Sequence, residues 1–359
     1  MIYHWLFPLA SEYGVFNVVR YITFRAVCAA VLALLLSFIF GPRLIRVLRA
    51  GQIRQPVSEY VPEGHAAKGG TPTMGGVLIL FSLLLSSVLM ADITNPYVVV
   101  TLCVTMGFGL VGFVDDYRKV TAAKNAGLSA RTKLGGQIVF AVVGMLALYL
   151  RSDFDTQLTV PFMKAPLMDL GWWYVPFGSV VIVGASNAVN LTDGLDGLAI
   201  GPVMTTAATY AILSYCAGHA VIAGYLLIPY IPGAGELAII CAAISTAGLG
   251  FLWFNTYPAQ MFMGDVGSLA LGAALGTIAV ISKNELILVV AGGVFVVEAL
   301  SVIIQVGSVK LRGGKRVFRM APIHHHYELK GWPEPLIIVR CWIISILCAL
   351  LTLATLKLR

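Results

Sequence analysis

Residues 97–119 read YVVVTLCVTMGFGLVGFVDDYRK. From Tyr97 to Val114 no residue is charged, and then Asp115, Asp116, Arg118 and Lys119 arrive together. A hydrocarbon core of about 30 Å takes roughly 20 apolar residues in a helix, so this run reads as a membrane span that ends in carboxylates. Nine further runs are similar: Tyr21 to Phe40, Thr73 to Ala91, Leu134 to Leu150, Trp173 to Val189, Leu198 to Ala217, Leu237 to Phe254, Val266 to Ile281, Leu286 to Val306 and Leu336 to Leu356. Open strand edges find no partners in lipid, and the runs lack the alternation of a barrel. The expected fold is an all-α integral membrane protein with ten transmembrane helices, one polytopic domain over 1–359. A chain 58% hydrophobic and 11% charged, with mean hydropathy +0.88, is no ordinary soluble domain.

Charge sets the topology. Met1 to Val19 holds no Lys or Arg and so lacks the charged start of a signal peptide, while Trp5, Phe7 and Tyr13 suit an interfacial segment. Ten spans leave both termini on one side. Alternate loops then collect Arg43, Arg46, Arg49, Arg54, Lys68, Arg118, Lys119, Lys124, Arg131, Lys133, Lys310, Arg312, Lys315, Arg316, Arg319 and Lys330. The opposite loops hold far fewer cations. The positive-inside rule places the rich set in the cytoplasm and both termini in the periplasm. Topology and anionic lipid account for the net charge of +7, and no nucleic acid is needed. Six cysteines lie in apolar runs without metal-type spacing and read as packing residues.

The same topology puts Asp115, Asp116, Asp193, Asp196 and Asp265 on the cytoplasmic side, where carboxylates at the bilayer edge are kept for ions or chemistry. Asp115 and Lys119 share a helix face at i,i+4, and Asp116 and Lys119 at i,i+3; the bland reading is a local salt bridge. Adjacent helical residues diverge by about 100°, so the two aspartates cannot share one direction. The functional reading puts one near a metal, the other as base and Lys119 on phosphate. If the fifth span continues far enough, Asn187, Asn190, Asp193 and Asp196 form one polar stripe, with Gly194 and Gly197 letting a ligand approach backbone. Capping explains Asp196 but not two asparagines within a span. Asp265, between Gly264 and Gly267, reads as the N-cap of the eighth span and as a Mg²⁺ ligand beside a phosphate-binding helix start. Asn255 and Phe262 supply an amide and a ring suited to a base pocket.

His324, His325 and His326 lack the spacing of a zinc site and suit diphosphate or substrate contacts beside Arg316, Arg319 and Lys330. Glu298, Ser301 and Gln305 share a face of the ninth span. Glu298 reads as a protonated acid hydrogen-bonded between helices, and Gln305 as near enough to reach the site.

Together, Thr71-Pro-Thr73-Met-Gly-Gly76, Phe113-Val-Asp-Asp-Tyr117, Asn187-Ala-Val-Asn-Leu-Thr-Asp-Gly-Leu-Asp-Gly-Leu198, Gly250-Phe-Leu-Trp-Phe-Asn255, Met263-Gly-Asp-Val-Gly-Ser268 and Ala321-Pro-Ile-His-His-His326 resemble the phospho-N-acetylmuramoyl-pentapeptide transferase, or translocase I, family. The matching motifs run from the first loop to the C-terminal part in preserved order. Related polyprenyl-phosphate N-acetylhexosamine-phosphate transferases share the aspartates, and a secondary transporter is the reading from another class. One departure stands out: Gly64 precedes His65 where the family usually has serine.

The resemblance implies transfer of phospho-N-acetylmuramoyl-pentapeptide from UDP-N-acetylmuramoyl-pentapeptide to undecaprenyl phosphate, giving lipid I and UMP. It further implies Mg²⁺ dependence, a cytoplasm-facing cleft, a homodimer and a multi-pass place in the bacterial inner membrane. On this reading Asp265 holds Mg²⁺, with Asp115 and Asp116 as further candidate ligands, and Asp115 deprotonates or orients the lipid phosphate. Asp116 and Asp193 shape the metal and acceptor site, while Lys68, Lys119, Lys133 and His324 meet phosphates. Uridine lies near Gly194, Leu195, Asp196, Asn255 and Phe262. Thr73, Asn190, Gln305, His325 and His326 complete the expected substrate contacts.

Overall fold

The computed structural model describes residues 2–51, 70–121, 127–160, 163 and 166–357; Lys68, Lys124 and the Gly64-His65 pair lie outside them. The helices are α1 Ile2–Leu6, α2 Ile22–Ala50, α3 Gly76–Met90, α4 Pro96–Thr121, α5 Ala130–Tyr149, α6 Tyr174–Thr192 and α7 Ile200–Ala217. They continue as α8 Ala220–Leu226, α9 Leu237–Asn255, α10 Gly264–Ile281, α11 Leu288–Ala291, α12 Gly293–Leu311, α13 Ile323–Glu328 and α14 Glu334–Ala354. A two-stranded antiparallel hairpin pairs Gln157 with Asp169 and Leu158 with Met168 between α5 and α6.

Every apolar run becomes helix, but not every run gives one unbroken helix of spanning length. Among the described residues eight helices are long and apolar enough to cross a membrane, or nine if α7 and α8, bent by 101°, form one span. The run from Thr73 falls short because its start pairs with the segment before α10. Phe262 N–H donates to Pro72 O at 2.8 Å, and Gly75 and Gly76 N–H donate to Phe262 O and Met263 O, each at 2.8 Å. That pairing leaves α3 only 15 residues. The run from Leu286 divides at Gly292 into α11 and α12.

The molecule is layered around α10, whose residues Val266–Ile281 are all buried. It packs on α4, α6, α3 and α7, while α9 packs on α2, α7 and α3. Outer helices α2, α12 and α14 show lipid-type faces, with Val27, Val31, Leu35, Ile343, Ile346 and Leu350 exposed. Lipid tails are as apolar as leucine, so helix association rests on close packing rather than on expelling water. Small residues permit it: a Cβ on Gly272 would fall 2.6 Å from the Ala185 carbonyl oxygen.

At the end where α2 and α9 begin, buried Arg25 donates through Nη1 to Glu236 Oε2 at 2.7 Å and through Nη2 to Oε1 at 2.5 Å. Glu236 also accepts from Asp92 N–H at 2.9 Å, joining the start of α9 to the α3–α4 turn. The site described next is at the opposite end, where α4 finishes and α10 begins.

Candidate active site

Gly112 sets the geometry: a Cβ there would fall 2.2 Å from the Asp265 carbonyl oxygen, so only glycine lets the last turns of α4 meet the first turn of α10 this closely. Asp265 is the second residue of α10 and does not cap it; Met263 holds the N-cap position, without a side-chain hydrogen bond. The Asp265 carboxylate instead faces two ammoniums, Lys119 at 2.7 Å and Lys133 at 2.6 Å. Lys119 is also 2.7 Å from Asp115 and 3.7 Å from Asp116, as helix spacing predicts.

Both α4 aspartates are buried and held by backbone. Asp115 Oδ1 accepts from Leu128 N–H at 2.6 Å, and Asp116 Oδ2 accepts from Val266 N–H at 3.2 Å, within the first turn of α10. The expected divergence of adjacent side chains is overcome, because Asp265 lies between them. One oxygen from each of Asp115, Asp116 and Asp265 lies within 4.8 Å of the others. Three carboxylates face two ammoniums, leaving one negative charge before Asp193 is added. An all-oxygen anionic set suits a hard cation such as Mg²⁺ better than a soft one, so these residues fit the expected metal.

Gly264 opens α10 with φ +72 and abuts Asp116 Oδ2 and the Thr73 hydroxyl. Thr73 is therefore beside the cluster. Asp193 stands just past the end of α6. Desolvation, reinforced by the charges of Asp265, Asp116 and Asp196, pushes its carboxyl up to about 8.

The polar stripe does not continue as one helix, since α6 stops at Thr192. Its asparagines join helices: Asn187 donates to Gln137 Oε1 on α5 at 2.7 Å, and Asn190 Oδ1 accepts from Ser268 on α10 at 2.9 Å. Asn255 binds backbone, accepting from Gly197 N–H at 2.9 Å and donating to Met261 O at 2.8 Å. Asp196 accepts from Ala259 N–H at 3.0 Å, and Leu195 is buried against Ile337 and Ile338 of α14. These residues shape the 193–197 and 256–262 loops from behind. Gly194 and half-buried Phe262 are the members of that group with surface on the loops.

The histidines separate by role. His325 Nδ1 is 2.6 Å from Glu328 Oε2, and His326 Nδ1 accepts from Arg319 N–H at 3.1 Å. Gln305 serves the same loop, accepting from Val317 and Phe318 N–H at 3.0 Å each and donating to Phe318 O at 2.9 Å. His324 is 1% exposed, and its Nδ1 lies 3.0 Å from Glu298 Oε2. So the partner of Glu298 is a loop histidine rather than a neighbouring span. His324 Nε2 has no partner among the described residues and points at Gly194, where a Cβ would sit 2.2 Å away. A buried polar atom left unpaired costs about 1–3 kcal/mol, which marks Nε2 as a contact for a bound molecule.

Hydrogen bonds also tie Gln137, Ser268 and Glu334 to this site; Gln137 and Glu334 carry no sequence signal of their own, and Glu334 Oε1 accepts from Asp196 N–H at 3.1 Å.

The Glycosyl transferase family 4 model matches residues 98–283, and phospho-N-acetylmuramoyl-pentapeptide-transferase signature 1 matches residues 68–80. Proteins named phospho-N-acetylmuramoyl-pentapeptide-transferase are similar over their full lengths. That of Citrifermentans bemidjiense is 59% identical over 360 residues, covering 100% of both chains. Those of Pelobacter propionicus and Syntrophus aciditrophicus are 57% and 55% identical over 359 residues, again covering 100% of both.

Proposed function

The chain belongs to the phospho-N-acetylmuramoyl-pentapeptide-transferase family, and we propose that its cluster of three aspartates and two lysines is where the transfer takes place. The activity is transfer of phospho-N-acetylmuramoyl-pentapeptide from its UDP carrier to undecaprenyl phosphate, giving lipid I and UMP, the first membrane step of peptidoglycan synthesis.

The observation that carries the site assignment is the meeting of Asp115, Asp116 and Asp265 within 4.8 Å. Asp265, with Asp115 and Asp116, would hold Mg²⁺. Bound there, the ion supplies neutralisation of the diphosphate and of leaving UMP. Lys119 and Lys133 bring two further positive charges to the same oxygens and lower the repulsion between an anionic acceptor and an anionic donor. Asp115 has Oδ1 fixed by Leu128 N–H and Oδ2 turned to Lys119 at 2.7 Å, which aims Oδ2 into the cluster to orient the acceptor phosphate and take its proton. The acceptor oxygen bonds to the sugar-side phosphorus, and the bond from that phosphorus to UMP breaks. Holding a lipid acceptor beside a soluble donor contributes on the order of 7–11 kcal/mol when alignment is good.

The rest of the reading follows from the same premise. One polytopic domain over 1–359 crosses the bacterial inner membrane ten times, with α3 and the α7–α8 pair as spans, both termini periplasmic, and pairs as a homodimer. The test is UMP release by the purified protein from UDP-N-acetylmuramoyl-pentapeptide, with undecaprenyl phosphate and Mg²⁺. Asp265→Asn is expected to abolish turnover while the protein stays folded in the membrane; near-normal turnover in that variant would reject the site.

A further inference from the structure

Glu298 is a buried acid, 1% exposed, on a helix otherwise apolar at that level. From Glu298 to the end of α12 at Leu311 is thirteen residues, roughly 20 Å at 1.5 Å per residue. His324, on the short α13 after the α12 loop, nevertheless reaches it at 3.0 Å. The histidine segment therefore folds back along α12 well inside the helix end. An acid at such depth needs a partner, and the described partner is the ring nitrogen.

The pairing settles more than position. An imidazole whose Nδ1–H is engaged by a carboxylate has its ring plane and its tautomer fixed, and the other nitrogen is aimed. Here that nitrogen, Nε2, is buried without a protein partner and faces Gly194 on the loop beside Asp193. Ser301, on the same face, takes no part, since its hydroxyl donates to the Glu298 backbone carbonyl.

We infer that Glu298 is a positioning residue, which holds a proton on His324 Nδ1 so that Nε2 meets an oxygen of the bound UDP-linked donor beside Gly194. The inference rests on the transferase reading for the identity of that donor, and on geometry alone for the pair itself.

Two measurements test it separately. Nitrogen-15 spectra of histidine-labelled wild-type protein in nanodiscs, with the His324 signals identified by their loss in His324→Asn, are expected to show a protonated Nδ1. An unprotonated Nδ1 overturns the pairing, whether or not the protein releases UMP. In the UMP assay, Glu298→Leu is expected to lower kcat about 10–100-fold with the donor KM changed far less, the usual scale for losing a residue that orients a functional histidine. Glu298→Gln, whose amide oxygen still accepts from Nδ1–H, is expected to recover part of the loss. Added to His324→Asn, Glu298→Leu should lower kcat no further, because it acts through a ring already gone. A further multiplicative loss in the double variant, or no recovery with glutamine, overturns the positioning role. Wild-type protein that releases no UMP refutes the transferase reading instead.

Discussion

Lys133 and Asp265 meet at 2.6 Å across 132 residues of chain, and Lys119 reaches the same carboxylate oxygen at 2.7 Å. Two ammoniums on one oxygen compete with any cation for it, and each is also available to a phosphate. Removing one should therefore move metal and donor in opposite senses. Lys133→Met is expected to raise the donor KM about 10–100-fold, matching the roughly 1.5–3 kcal/mol of a hydrogen bond to a charged group. The half-saturating Mg²⁺ concentration should fall. Titrating UMP release against both substrates reads the two effects, and an unchanged donor KM would remove Lys133 from the phosphate site.

Gly264 cannot be replaced quietly. Its φ is +72, and a Cβ would sit 2.5 Å from Asp116 Oδ2 and 3.1 Å from Thr73 Oγ1. Gly264→Ala should cost about 1–3 kcal/mol in strain and displace Asp116 from Val266 N–H. A lowered thermal midpoint together with lost UMP release is the expected result.

The α10–α11 turn predicts a pH dependence remote from the site. Glu285 accepts from the buried Tyr174 phenol, and burial pushes its carboxyl from 4.5 up to about 8. The folded protein then binds an extra proton between those values, so stability falls as pH rises from about 4.5 to 8. Glu285→Gln removes that slope. Its thermal midpoint should gain on the wild type as pH increases through the window and hold a constant lead above it.

Arg25→Met strands Glu236 as an uncompensated buried charge, which typically costs about 3–5 kcal/mol. Adding Glu236→Gln removes the charge while keeping an acceptor for Asp92 N–H, so the double variant should regain most of the loss. Denaturation of the wild type, the two single variants and the double variant in one detergent compares them.

The apolar runs told most of the fold because lipid leaves a chain so few options. Gly292 was opaque, since glycine is common within spans and nothing local says where one breaks. The acids were legible as a group: composition made them expensive, and loop charge put them at one end. Their partners were less so. Lys119 follows from helix spacing, whereas Lys133 arrives from another helix. Gln305, Asn255 and His326 read as substrate contacts, yet their polar atoms hold the backbone of residues 317–318, 197, 261 and 319. A polar side chain near a site carries no mark of whether it faces the ligand or the loop behind it. Glu298 and His324, far apart in chain order, share no periodicity that would pair them.

The helix that carries Asp265 has no lipid face: 89% of its spanning stretch is enclosed by other helices. Bilayer thickness and acyl packing reach α10 only through the helices packed on it, α4, α6, α3 and α7. Asp265 thus rides a helix enclosed by protein, while Asp115 and Asp116 ride α4, whose Met106 and Leu110 face outward. A change in bilayer thickness therefore reaches the cluster through α4 before it reaches α10.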